Sequence, residues 1–246
     1  MGAYKDQWGI TAGLQSTRIS MTPITQTSTQ NQDNWLISAH MHVPSTTGTG
    51  RWTFQIDTHR IQNDTRVGDS DGVRVIAPQV SWLSYTLPLK LDLSYARSTY
   101  KGSANTNQIS SGIGWGFNQN QNWIQARSIV VNNLNPERSL GQSTTHGTDF
   151  KLTQFLASRS GWTPTSITLG LERGQKYHEV DMVSQTVYNL PMRNEGGENI
   201  AASWKVSDQS EFNIQASRNR YFAAPSPLPS HRFTLSTFSA QIVTAW

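Results

Sequence analysis

Apolar and polar residues alternate along most of this chain with a period of two. Trp35, Ile37, Ala39, Met41 and Val43 take turns with Leu36, Ser38, His40 and His42, and Trp52, Phe54 and Ile56 with Thr53, Gln55 and Asp57. The same rhythm carries Leu87 to Tyr95, Ile113 to Phe117, Ile167 to Leu171, Ile200 to Val206 and Phe212 to Ala216. Successive side chains of a strand point to opposite faces, so each run predicts a strand with one apolar and one polar face. No stretch carries a helical period.

The connections between these runs alternate in length. Short ones are expected near Pro44–Arg51, Ser84–Pro88, Asn118–Asn122, Ser158–Thr165 and Ser207–Ser210. Longer polar ones are expected near Ile24–Asn34, Gln62–Gly72, Thr99–Gln108, Asn132–Thr148, Tyr177–Asn199 and Tyr221–Arg232. Six long and five short connections give twelve strands, with both ends of the chain on the short-turn side. Greek-key sandwiches have no reason to alternate in this way, whereas up-and-down membrane barrels do. The expected fold class is therefore all-β: a transmembrane up-and-down antiparallel β-barrel of about a dozen strands, one domain over residues 1–246. Strands of roughly 9–11 residues suffice to cross a bilayer at a tilt. Closure would be required, because an open edge in lipid leaves backbone groups unpaired.

Composition sharpens this picture. Hydrophobic residues make up 35% and charged residues 15% of the chain, both low for a soluble domain, yet there are 9 Trp, 8 Phe and 7 Tyr. That many aromatics exclude a solvated coil. A wall with one face to lipid, one to a wet lumen and aromatics at the two interfaces accounts for the combination. The absence of cysteine excludes disulfides and thiol chemistry. The scattered Lys and Arg behind a net charge of +4 give no nucleic-acid patch. Met1–Lys5 lacks a hydrophobic core, so a leader, and with it a periplasmic or secretion partner at the N-terminus, is expected to lie outside this segment.

Phe238, Ala240, Ile242, Thr244 and Trp246 form an alternating apolar face that ends on an aromatic. This resembles the terminal strand of bacterial outer-membrane β-barrel proteins. The resemblance implies an integral protein in outer-membrane lipid, delivered by the barrel-assembly machinery through Phe238–Trp246. The segments Trp115–Trp123 and Trp204–Phe212 look like the aromatic-flanked periplasmic turns of such barrels. With the size of the chain, they also resemble the barrel domains of exopolysaccharide exporters. Trp35, Trp52, Trp115, Trp123, Trp204, Phe212 and Trp246 are the expected interface aromatics.

Under this alternation Asp57, Lys90, Asp92, Arg127, Asp149, Lys151, Glu172 and Lys205 point inward, four acids and four bases. A balanced lumen predicts weak ion selectivity, or a transverse field if the signs segregate to opposite walls. Gly112, Gly114 and Gly116 form an inward row that either leaves room for a solute or a folded-in loop, or relieves crowding where a strand bends. His40 and His42 share the inner face and could bind a metal or shuttle a proton, although two lumen-facing polar residues are the commoner case. His146 near Ser143, Thr144 and Asp149, and His178 beside Glu179 and Asp181, do not match the His-x-Ser arrangement of lipase barrels, and no metal is assigned. The leading reading is an outer-membrane channel, passive or gated, with the export barrel of a larger secretion system as one form of it. A non-conducting scaffold that works through its loops and a lipase- or protease-like barrel enzyme are the alternatives. No cofactor is expected.

Overall fold

The computed structural model describes residues 7–21, 28–64, 71–101, 105–139, 141–156, 163–181, 186–187, 192–207, 210–223 and 231–244. The first nine strands are β1 (Trp8–Met21), β2 (Ser28–Pro44), β3 (Gly50–Asn63), β4 (Val73–Ser84), β5 (Leu89–Thr99), β6 (Asn105–Phe117), β7 (Asn122–Asn133), β8 (Thr144–Phe155) and β9 (Ser166–Lys176). A two-residue hairpin pair, β10 (Val180–Asp181) and β11 (Thr186–Val187), comes next, and β12 (Arg193–Lys205), β13 (Ser210–Ala223) and β14 (His231–Thr244) end the series. Each strand of the main sheet pairs antiparallel with its sequence neighbour, β9 pairing with β12 across the hairpin, to make one twelve-stranded meander. Cα atoms of β1 and β14 come within 8 Å of one another, so the sheet curls back toward its own beginning.

The strand count and the up-and-down order are those predicted from the alternating turns. The strands are longer than the minimum for a crossing, from 11 residues in β5 and β9 to 17 in β2. Several connections are correspondingly shorter than expected, because polar residues at strand ends still pair. Asn31 to Asn34 belong to β2, and Asn105 to Gln108 to β6. The alternation of lengths has an exception in 156–165, between β8 and β9, which is as long as 134–143 on the opposite edge. Trp8 stands opposite Met41, and Thr244 opposite Ser210, so both ends of the meander lie on the short-turn edge.

The sheet inverts the usual arrangement of a soluble protein. Leu14, Ile37, Phe54, Leu93, Ile113, Leu152, Leu169, Ile200 and Phe238 are all exposed on the outer face, reaching 74% for Leu14. Asp57, Ser98, Gln108, Asp149, Glu172 and Asn219 are buried on the inner face. Among the described residues the main apolar interior cluster lies toward the long-connection edge, where Ile61, Val73, Val75, Ala77, Ala96 and Tyr100 meet Val180 and Val187 of the hairpin, and a smaller one gathers around Tyr221. Of the connection expected over Tyr177–Asn199, residues 177–181 and 186–187 thus lie inward, with Thr186–Val187 paired to Val180–Asp181 against the inner wall.

Candidate functional site: a charged interior closed by a hairpin

Two backbone irregularities turn the chain into the interior. Gly174 (φ 110) and Gly196 (φ 99) sit where the β9–β12 register shifts. A Cβ at Gly196 would stand 2.5 Å from the Glu172 carbonyl oxygen, so only glycine fits this bulge. Beyond it His178 adopts a left-handed backbone (φ 51) and packs its ring 4.7 Å from that of Tyr100. The chain then reaches Val180, whose amide donates to Gln108 Oε1 at 2.9 Å while Gln108 Nε2 donates to its carbonyl at 2.7 Å. A single side chain on β6 therefore replaces a strand partner for the hairpin.

The hairpin is also tied by charge. Lys176 is fully buried and reaches three carboxylates: Glu179 at 2.5 Å, Asp149 at 3.1 Å and Glu172 at 3.4 Å. Lys151 on β8 meets Asp181 at 3.3 Å. Deeper along the wall Arg127 bridges β7 to β5 through Asp92 at 2.7 Å. Lys90, Asp92, Gln125, Arg127, Asp149 and Lys151 line a cavity with about 20 Å³ of water-accessible space, room for about one water.

Burial above all holds the Glu179 carboxyl up, with Lys176 pulling it down and Asp149 and Glu172 pushing it up, to about 8 in balance. Undocked in water the group would return to its ordinary value near 4.5. The docked hairpin therefore holds a proton that the undocked one gives up. Docking is expected to be strongest below about pH 4.5, to weaken as pH rises toward 8 and to level off above. Limited proteolysis of the 177–192 connection between pH 4 and 9 checks this. Glu179→Gln should flatten the profile, and an unchanged profile in that variant would assign the titration to another group.

Asp57, Asp149 and Glu172 are buried on the inner face, and Lys90, Asp92, Arg127 and Lys151 are half-buried there. Asp57 accepts from Gln55 Nε2 at 2.9 Å. Lys205 departs from this set: it ends β12 opposite Glu211 and is exposed at the sheet rim, so it lines nothing. His40 and His42 lie half-buried on the inner face with ring centroids 5.0 Å apart, and His42 Nδ1 pairs with Thr53 Oγ1 at 2.8 Å. Among the described residues no third metal-ligating side chain joins them. His146 sits on β8 facing outward, on the opposite face from Asp149, so the loop grouping read from sequence does not form.

The glycine row does not leave an empty lane. A Cβ at Gly112 would collide with the Asp92 carboxylate, and one at Gly116 would stand 2.9 Å from the Trp123 ring. Trp123 is therefore not an interface aromatic. It pairs with Gly116 and lies on the inner face with Gln125 and Arg127. Trp35, Trp52 and Trp115 do face outward and are exposed, and Trp204 and Phe212 pack on each other outward with ring centroids 5.9 Å apart. Trp8 and Trp82, which the sequence reading passed over, join them: Trp82 is the direct cross-strand partner of Trp52. Trp246 lies outside the described residues, as does the proline-bearing 224–230 connection.

Sequence reasoning missed Gln108 and Lys176, and it named Glu179 and Asp181 only as neighbours of His178, because it placed the 177–199 connection in a loop outside the membrane. The available signal was the apolar content of the connection, which carries Val180, Met182, Val183, Val187, Leu190 and Met192 among its polar residues. Comparisons with known proteins add no relative: no family model, no curated protein and no solved structure matches the chain.

Proposed function

We propose that the chain is a transmembrane β-barrel of the bacterial outer-membrane type and forms a channel that the β10–β11 hairpin holds closed. The observation that carries this reading is the inverted pattern: large apolar side chains exposed on the outer face along the whole meander, with acids and bases buried on the inner face. In water an apolar surface of that extent would drive aggregation; in a bilayer it is the surface that inserts. From Trp52 to Arg60 the outward side of β3 runs about 27 Å along the strand at ~3.4 Å per residue. Inclined at about 40° it spans about 21 Å of bilayer, a little less than an apolar band of about 25 Å. The terminal strand β14, with Phe238 and Ile242 exposed outward, suits recognition by the barrel-assembly machinery.

A second reading, a non-conducting barrel that acts as an assembly scaffold, is favoured by the occupied interior. One experiment separates the two. The chain is refolded into detergent and tested for heat-dependent migration on electrophoresis, then inserted in a planar bilayer under a salt gradient. Heat-shifted migration with brief, weakly selective openings is expected of a gated channel. Inserted protein that never conducts at any pH or voltage would favour the scaffold. A chain that stays soluble without detergent and shows one unshifted band would overturn the membrane reading.

A further inference from the structure

On the outer face of β3–β5 three arginines stand together at the long-connection edge. Arg60 and Arg74 are direct cross-strand partners, and Arg97, opposite Ile76, is the diagonal neighbour of Arg74. All three are exposed on the outer face. Like charges placed opposite one another on a sheet repel, so an unbalanced triplet of this kind costs stability unless an anion bridges it. Among the described residues no carboxylate lies within ion-pair distance of any of the three. The nearest outward acid by register, Asp33 on β2, is the diagonal neighbour of Arg60 but forms no ion pair with it, and one acid faces three cations.

A second feature lies on the same strands, toward the middle of the sheet. Pro78 sits inside β4, where it has no N–H to give. The β4–β5 ladder accordingly breaks after Ile76↔Arg97 and resumes at Gln79↔Ser94. Around this break the outer face is hollowed. Phe54, Pro78, Val80, Leu93, Tyr95 and Ile109 line a depression of about 460 Å³ that is almost wholly apolar. Tyr95 is two residues from Arg97 and Pro78 four from Arg74, which puts the arginines roughly 7–13 Å above the hollow along the strands. The apolar hollow lies on the side of the sheet's midline and the charges on the side of its edge, the order in which an amphiphile standing in a bilayer would meet them.

We propose that this surface is a binding site for a phosphate-bearing membrane lipid, with Arg60, Arg74 and Arg97 clamping the phosphate and one acyl chain lying in the Pro78 hollow. Guanidinium groups suit the task because they pair bidentately with phosphate and give up hydration more readily than ammonium groups. The apolar lining supplies the second half of the recognition, so a soluble phosphate would meet only half a site. The inference rests on the membrane-spanning reading, and it predicts the edge of the sheet at which the phosphate layer lies.

The test uses the full chain refolded in detergent, with bound lipid counted by native mass spectrometry. The probes are lipid A, the same lipid stripped of its phosphates, and its deacylated phosphosugar. Lipid A should be retained and the other two should not. The triple variant Arg60→Gln, Arg74→Gln, Arg97→Gln should lose lipid A affinity by on the order of tenfold or more while keeping heat-shifted migration. Val80→Trp, which fills the hollow and leaves the charges alone, should weaken lipid A to a similar degree. Equal binding of the dephosphorylated lipid or of the deacylated phosphosugar would overturn the proposal. So would lipid A retention by the triple variant. If wild-type chain inserts and migrates as a barrel yet discriminates among none of the probes, this inference alone falls; if it does not insert at all, the membrane reading falls with it.

Discussion

Replacing Lys176 with methionine is expected to destabilise the protein by about 3–5 kcal/mol, the cost of leaving buried carboxylates without their counter-charge. Methionine keeps the length of the side chain and removes only the ammonium group. Glu179, Asp149 and Glu172 would then face one another with nothing between them. The charges can be relieved in two ways: by proton uptake, or by the hairpin leaving and taking Glu179 with it. Both are measurable. The urea midpoint in detergent should drop, and the 177–192 connection should become open to protease at neutral pH. Adding Glu172→Gln and Glu179→Gln to the same chain should restore most of the loss, because the carboxylates no longer require neutralising. A Lys176→Met protein as stable as the wild type would mean that the hairpin does not occupy the interior in the bilayer.

The second large effect is expected from releasing the hairpin outright. Replacing residues 179–190 by a short Gly-Ser linker should convert brief openings into sustained conductance, since it removes Val180 and Val187 from the apolar cluster and Asp181 from Lys151. Gln108→Ala should give an intermediate result. It deletes two hydrogen bonds to Val180, each worth about 0.5–1.5 kcal/mol net, which shifts the docked-to-undocked ratio by on the order of tenfold. Single-channel recording at fixed pH reads both. If the linker chain inserts and remains silent, the charged wall itself blocks the lumen, and the channel reading gives way to the scaffold.

Much of this architecture was readable in the chain because strand faces are a local property. Phe54 and Asp57 announce opposite sides of β3 by their spacing alone, and the count of twelve follows from the punctuation between runs. Strand β4 carried no clean alternation, since Val73, Val75 and Ala77 look inward at the hairpin while Ile76, Pro78 and Val80 look outward. Trp123 was misplaced by treating both aromatics beside a turn as equivalent. The connection 118–121 sets Phe117 opposite Asn122, which puts Gly116, an inner-face residue, opposite Trp123. Register, once counted through the turn, would have given the correct side. The interior site was illegible for a different reason. Gln108 and Val180 are 72 residues apart, and nothing local to either predicts that they meet. Lys176 enters the interior only because Gly174 and Gly196 shift the register, an event of two strands together.

The hairpin also has a consequence for the order of assembly. In the meander every pairing but β9–β12 joins strands that are adjacent in sequence, so its pairings close short loops and cost little chain entropy. The hairpin's contacts are of the other kind: Gln108, Lys151 and Tyr100 come from β6, from β8 and from the end of β5, and they form a receptor only once those strands stand side by side. Docking of the hairpin is thus expected to follow completion of the wall. On the proposed membrane reading, a newly inserted molecule would pass through an interval in which its interior is built and still open.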